Sequence, residues 1–329
     1  MTWPAFLITV DTEGDNLWAR PRVASTRNAA FLPRFQALCE KYHLKPTYLA
    51  TWEMANCRSF QDFALDVLRR EQGEVGMHLH AWDSPPIIPL TPDDALHHPY
   101  LIEYSVLQMR DKVRTLTDRL ESVFHTKMVS HRAGRWAFNG VYARILEEAG
   151  YLVDCSVTPH VSWRSYLGSP QGRGGPDYTA FPDSAYFLNL DDVRRPGPSR
   201  LLEVPVTILS RTPLLAAWAW RALENVPLGK RTTKRFFVQP GWLRPNGTNR
   251  RQLLTVLSTA LRQGRDYVQL VLHSSELMPG GSPKAQSPNR IERLYANLEV
   301  LFSAALQHSQ GVTLQDFYRR KCDHADAGV

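Results

Sequence analysis

The chain has 329 residues, 43% of them apolar, a formal net charge of +7 and a pI near 9.3. That length carries a substantial core, as one large domain such as an α/β barrel or as two ordinary ones. The four cysteines (Cys39, Cys57, Cys155 and Cys322) form no CxxC pair, which excludes a structural zinc module and a disulfide framework. No run approaches the roughly 20 apolar residues of a membrane span. Residues 214–223 come nearest, and Arg221 interrupts them.

Residues 5–10 are an apolar, β-rich run ending in acidic residues, read as a buried strand that delivers carboxylates at its end. Residues 28–42 space Ala29, Leu32, Phe35, Leu38 and Cys39 as on a helix; 47–51 are strand-like and 60–70 helical again. The stretch 74–79 is the next strand and carries the first of two histidines, His78 and His80. Strand side chains alternate, so residues two apart share a face, and this pair can aim two nitrogens at one ion. A loop with Pro85, Pro86, Pro89 and Pro92 leads to a long amphipathic helix at 105–124.

A short strand at 128–131, a helix at 140–149 stopped by Gly150 and a strand at 152–154 follow. Residues 158–200 are rich in Gly, Pro, Ser and Asp with weak periodicity, and so long a loop usually covers something. Strand character resumes at 202–209, then a helix near 214–223, a strand at 236–238, a helix at 252–263, a strand at 266–272 and a helix at 290–306. This alternation predicts parallel β/α units, and there is no internal repeat. The C-terminal ends of such strands form one face. Asp11 and Glu13, His78 and His80, His131 and Arg132, Asp154, and His273 with Glu276 all fall there.

In this order the chain resembles the polysaccharide deacetylases of the NodB-homology type, carbohydrate esterase family 4. The carrying stretches are Ile8-Thr9-Val10-Asp11-Thr12-Glu13, Gly73-Glu74-Val75-Gly76-Met77-His78-Leu79-His80, Ser130-His131-Arg132-Ala133-Gly134-Arg135-Trp136, Val153-Asp154-Cys155-Ser156 and Leu270-Val271-Leu272-His273-Ser274-Ser275-Glu276. The resemblance implies an irregular (β/α) barrel, here a single domain over 1–329 with a long insertion at about 158–200. The Asp-x-Glu, His-x-His-x-Trp and His-Ser-Ser-Glu details resemble deacetylases of bacterial surface-polysaccharide (O-antigen, lipopolysaccharide) gene clusters. Two positions depart from the family pattern. Thr12 stands where the family has its second Asp, so Glu13 or Asp15 must supply that carboxylate. Trp82 stands where the second His falls, so His80 or, failing that, His131 must replace it.

The resemblance implies a divalent ion, zinc being the expected one, held by Glu13, His78 and His80. Asp11 is the expected base, oriented by Arg132, and His273 the expected acid. Each has a plainer alternative. Asp11 and Glu13 can cap a helix, the histidines can be a hydrogen-bonded pair, Arg132 can form an ion pair with Asp154, and His273 can be a core histidine.

The expected substrate is an N-acetylated sugar, nucleotide- or lipid-linked, since the N-terminus lacks a secretory pattern and suggests the cytoplasm. The basic cluster Lys230, Arg231, Lys234, Arg235, Arg244, Arg250 and Arg251 suits a diphosphate or a peripheral contact with membrane or polysaccharide-assembly enzymes. A solvated loop is the alternative for that cluster, and no nucleic-acid recognition motif accompanies it. The competing functions are a metal-dependent hydrolase of another amide bond and a non-catalytic carbohydrate-binding protein.

Overall fold

The computed structural model describes residues 3–19, 21, 23–168, 171–209 and 241–326. The expected helix near 214–223, the strand at 236–238 and the cations Lys230, Arg231, Lys234 and Arg235 lie outside them.

The first strand, β1 (Ala5–Thr12), is buried along its whole length, in keeping with its mostly apolar run. It is followed by α1 (Leu32–Lys41), β2 (Thr47–Ala50), α2 (Trp52–Ala55), α3 (Arg58–Arg69) and β3 (Glu74–Leu79). Next come α4 (Asp94–His97), α5 (Val106–Phe124), β4 (Ser130–Ala133), α6 (Gly140–Glu148) and β5 (Val153–Asp154). Ser105 caps α5 by accepting from the Gln108 amide, and Asn139 caps α6 by accepting from the Tyr142 amide. After α6, Gly150 takes the positive φ of 89° that a helix stop favours. The chain continues as β6 (Tyr186–Phe187), β7 (Leu202–Glu203), β8 (Ile208–Leu209), β9 (Gly241–Trp242), α7 (Arg250–Arg262), β10 (Tyr267–His273), α8 (Pro288–Leu306), β11 (Gln310–Gly311) and α9 (Leu314–Asp326).

The main sheet runs β10-β1-β2-β3-β4-β5-β7-β6, and β11 also pairs with β1. All its pairings are parallel except β6 with β7. It curls as a half-barrel with helices packed outside, the irregular (β/α) barrel that the motif order implies. The antiparallel β8–β9 pair bridges the open side. Val206 donates to the Val157 carbonyl, Leu243 to that of Thr207, and Val271 to that of Leu243. The expected strand at 202–209 is therefore two short strands in two sheets, broken at Pro205.

Register aligns the ends that matter. Asp11 pairs with His273, Met77 with His131, His78 with Arg132, and His131 with Asp154. The insertion is mostly irregular, held by isolated bridges between Ser162 and Asp177 and between Leu188 and Pro196.

Candidate metal centre and catalytic cleft

Among the described residues, Glu13, His78 and His80 bring their ligand atoms within 4.8 Å of one another, and all three are buried. The two Nε2 atoms are 3.2 Å apart. Glu13 Oε2 lies 3.3 Å from His80 Nε2 and 3.7 Å from His78 Nε2. Ligands held tetrahedrally at about 2.0–2.1 Å from one zinc ion stand about 3.3 Å from each other, so these three fit one ion and leave a fourth position toward the cleft.

The local sequence explains the convergence. His78 is the last residue but one of β3 and His80 stands just past its end, and the two rings come out side by side with centroids 4.8 Å apart. The Nδ1–H of His78 donates to the Arg132 carbonyl at 2.9 Å, which leaves its Nε2 lone pair facing Glu13. Trp82 stacks on His80 with ring centroids 4.5 Å apart and planes 17° from parallel. On another side of His80, a Cβ on Gly134 would fall 2.4 Å from its Cδ2, so only glycine fits there. Asp15 is committed elsewhere, accepting from Ser25 Oγ at 2.5 Å and from the Asn28 amide at 2.9 Å. Thr12 turns its hydroxyl onto the Val10 carbonyl.

His131 stands apart from this group. Its Nδ1 meets Asp154 Oδ1 at 2.6 Å and its Nε2 meets the Tyr142 hydroxyl at 2.8 Å, so both ring nitrogens are engaged. Burial pulls its pKa below the usual histidine value despite Asp154. Asp154 in turn lies against Glu203, whose pKa is pushed well above the carboxylate range by burial and by that neighbouring charge.

Arg132 is wholly buried, and its fork is filled. Nη1 donates to Asp11 Oδ1 at 2.5 Å, Nη2 to Thr9 Oγ1 at 2.7 Å and Nε to the Cys155 carbonyl at 3.0 Å. The alternative pairing with Asp154 is not the one formed. His131 and Asp154 are register partners whose side chains meet, whereas the next residue, Arg132, emerges on the opposite face toward Asp11. Burial alone would raise the pKa of Asp11, but Arg132, His78 and His273 hold it below the usual value. Glu13 behaves likewise: burial opposes ionisation, and His273, His78 and His80 outweigh it and hold it well below its usual range. For His80, burial disfavours the charged ring, while Asp83 and Glu13 raise its pKa well above the ordinary value.

His273 sits opposite Arg132, with Nε2 3.7 Å from both Asp11 Oδ2 and Glu13 Oε1. One residue against it, Arg244, escapes a reading of strand ends alone. Arg244 Nη2 donates to His273 Nδ1 at 2.9 Å and to Glu276 Oε1 at 3.0 Å. A guanidinium only donates, so Nδ1 accepts and the neutral ring carries its proton on Nε2, facing the carboxylates. Glu276 Oε2 lies 3.5 Å from the same Nδ1. Burial would raise the pKa of Glu276, but Arg244 and His273 hold it well below the usual range. Arg244 belongs to the basic cluster noted in the sequence, yet it turns inward, while Arg250 and Arg251 at the start of α7 are exposed.

Asp11, Glu13, His78, His80, Arg244 and His273 line a cleft of about 1220 Å³. Its walls are aromatic: Trp18, Trp82, Tyr100, Trp136, Trp163 and Tyr166. The last two come from the 158–200 insertion, so part of that loop forms a wall of the cleft. Large, flat, partly polar rings suit the faces of sugars.

No family model matches the sequence, and no curated protein matches it. Solved structures do. A candidate glycoside hydrolase/deacetylase from Parabacteroides distasonis superposes with a TM-score of 0.62 at 11% identity, covering 97% of this chain and 72% of that one. A candidate polysaccharide deacetylase from Mycobacterium smegmatis gives 0.52 at 15% identity, covering 97% and 92%. The chain shares their fold. A 4-alpha-glucanotransferase from Thermococcus litoralis also matches, at 0.53 and 13% identity over 98% of this chain and 41% of that one. The fold is thus common to more than one chemistry, and function must be argued from the site. Among the described residues no helix is long and apolar enough to cross a membrane.

Proposed function

We propose that this chain is a single-domain, metal-dependent hydrolase that removes the N-acetyl group from an amino sugar. The observation that carries the reading is the convergence of Glu13, His78 and His80, with the Asp11–Arg132 pair on one side and His273 on the other. A divalent ion, zinc by donor set, supplies Lewis acidity toward the acetyl carbonyl and acidifies a water when bound there.

The chain's own residues would then do the rest. Arg132 fixes Asp11 by one oxygen and keeps it ionised, leaving Oδ2 to accept a proton from water. Across the cleft, His273 presents Nε2–H toward the side from which an amine would leave. For the ring to act as an imidazolium acid, a second proton must sit on Nδ1, and Glu276 Oε2 is the acceptor at hand when Arg244 yields. Two groups are needed because one base does not reach both sides of a carbonyl.

The aromatic walls support a sugar ligand. A nucleotide- or lipid-linked precursor in surface-polysaccharide or lipopolysaccharide assembly, handled in the cytoplasm, is the form we propose for it. One observation supports a non-catalytic reading: His80 raised toward its charged form between Glu13 and Asp83 is also how a purely structural ion pair would look. Two measurements separate the readings. Elemental analysis after dialysis against zinc should give one ion per chain, and a panel of N-acetylated sugars, sugar nucleotides and cyclic amides should show acetate release from the sugars. A protein that retains no metal and releases no acetate would be a binding module on this fold. Ring opening of the cyclic amides alone would move the activity to another amide bond.

A further inference from the structure

The rear of His80 holds a set of polar atoms that the proposed reaction does not use. His80 Nδ1, Asp83 Oδ1, Glu53 Oε2 and Ser84 Oγ are all buried and have no hydrogen-bond partner among the described residues. Buried polar groups are normally paired, so unpaired atoms on His80 and on the carboxylates that act on it call for a reason. Asp83 Oδ2 lies 3.7 Å from His80 Nδ1, slightly beyond direct hydrogen-bonding range. Glu53 is fixed nearby, accepting from the Gly14 amide at 2.8 Å. Burial, and then the Asp83 charge, push its pKa up to about 7.

The other histidine shows what this arrangement is for. His78 has its outer nitrogen satisfied by the Arg132 carbonyl, which fixes its tautomer and leaves Nε2 bare. His80 lacks such a carbonyl, and only an acceptor behind its ring can make the same choice. Trp82 already fixes the ring plane, so a small shift or one bridging water completes the contact.

We propose that Asp83 is the positioning residue for His80: its carboxylate takes the Nδ1–H and thereby holds Nε2 as a metal ligand. This rests on the metal-centre reading of Glu13, His78 and His80. A carboxylate behind a ligating imidazole also makes that imidazole the more basic donor, and removing such a partner typically weakens metal binding by about 10–100-fold.

The test is a zinc competition titration of the metal-free protein against a chromophoric chelator, run on wild type, Asp83→Ala, Asp83→Asn and Asp83→Glu. Asp83→Ala should weaken zinc binding by about 10–100-fold, Asp83→Asn by less because its amide oxygen still accepts, and Asp83→Glu should recover most of the loss. The cobalt-loaded protein should show a shifted absorption band in Asp83→Ala, while thermal unfolding in chelator stays at the wild-type value. The side chain of Asp83 is 26% exposed, so the substitution leaves the core intact. Wild-type zinc affinity in Asp83→Ala overturns the inference while leaving the metal centre standing. Equal losses in all three variants, with altered unfolding in chelator, would make Asp83 a structural residue and overturn it as well. A wild-type protein that takes up no zinc removes the metal-centre reading and this inference with it.

Discussion

Replacing Asp11 by Asn separates a base from a ligand, because the two roles fail in different measurements. The side chain keeps its size, and its amide oxygen can still accept from Arg132 Nη1, the contact now made at 2.5 Å. What disappears is the charge. Arg132 then sits wholly buried with only the Thr9 hydroxyl and the Cys155 carbonyl beside the new amide. Breaking a buried ion pair costs about 3–5 kcal/mol, and the retained hydrogen bond puts this case near 3. With an unfolding entropy of about 2.1 cal/mol/K per residue over 329 residues, that is a fall of about 4 °C in Tm. Turnover should fall by about 10²–10⁴-fold, the range for losing a positioned base. Zinc stoichiometry should stay at wild type, since Glu13, His78 and His80 are untouched. The assays are scanning calorimetry, acetate release and elemental analysis on one preparation. Loss of zinc from a folded Asp11→Asn protein would mean that Asp11 coordinates the ion. Unchanged turnover would mean that another group is the base.

Alanine at His78 or at His80 should abolish zinc retention to a similar degree, whereas His131→Ala should keep the ion; occupancy that survives without His80 and vanishes without His131 would reverse the assignment. His273→Ala should lower turnover on an amide substrate by about a hundredfold with zinc content unchanged, and an unaffected rate would transfer the proton-donor role to another group such as Glu276. For Glu203→Gln the expectation concerns pH. Folded Glu203 keeps a proton that the unfolded chain releases above about pH 4.3, so its contribution is fully present below that pH and is lost as pH rises through the raised folded value. Gln mimics the protonated acid, with an oxygen for the Val157 amide and a donor for Asp154, so the Tm of the variant relative to wild type should rise between pH 4 and pH 8. A constant difference over that interval would show that Glu203 is ionised in the fold.

The parts of the fold legible in the sequence are those written in local periodicity. The runs at 5–10, 74–79 and 266–272 are mostly apolar, with few polar residues among them, because β1, β3 and most of β10 are buried on both faces, which is how strands of a covered parallel sheet read. The helices at 105–124, 140–149 and 290–306 announce themselves by spacing and by stop signals. Two-residue strands such as β6 and β9 leave no such trace, since two residues carry no period. The C-terminal helix α9 was not legible either, because its apolar residues are few and its exposed face is strongly charged.

The site divides along the same line. Asp11, Glu13, His78, Arg132 and His273 all stand at or just beyond strand ends, and parallel register brings strand ends together whatever the intervening loops do. His80 follows from alternation: a residue two positions beyond His78 on continuing extended chain must emerge on the same side. The departure at Trp82 also acquires a physical sense. The Trp82 ring lies flat on His80 and restrains the plane that coordination needs. Arg244 was hidden for the opposite reason. It is 29 residues from His273 in sequence and reaches it because the antiparallel β8–β9 pair lies across the open side of the barrel. No periodicity encodes that crossing, and nothing in the local sequence marks Arg244 out from the other cations of the basic region. Its consequence is chemical as well as structural. By donating to Nδ1, Arg244 fixes which nitrogen of His273 carries the proton, so the side of the cleft where an amine would leave is governed by a residue that the strand-end pattern does not contain.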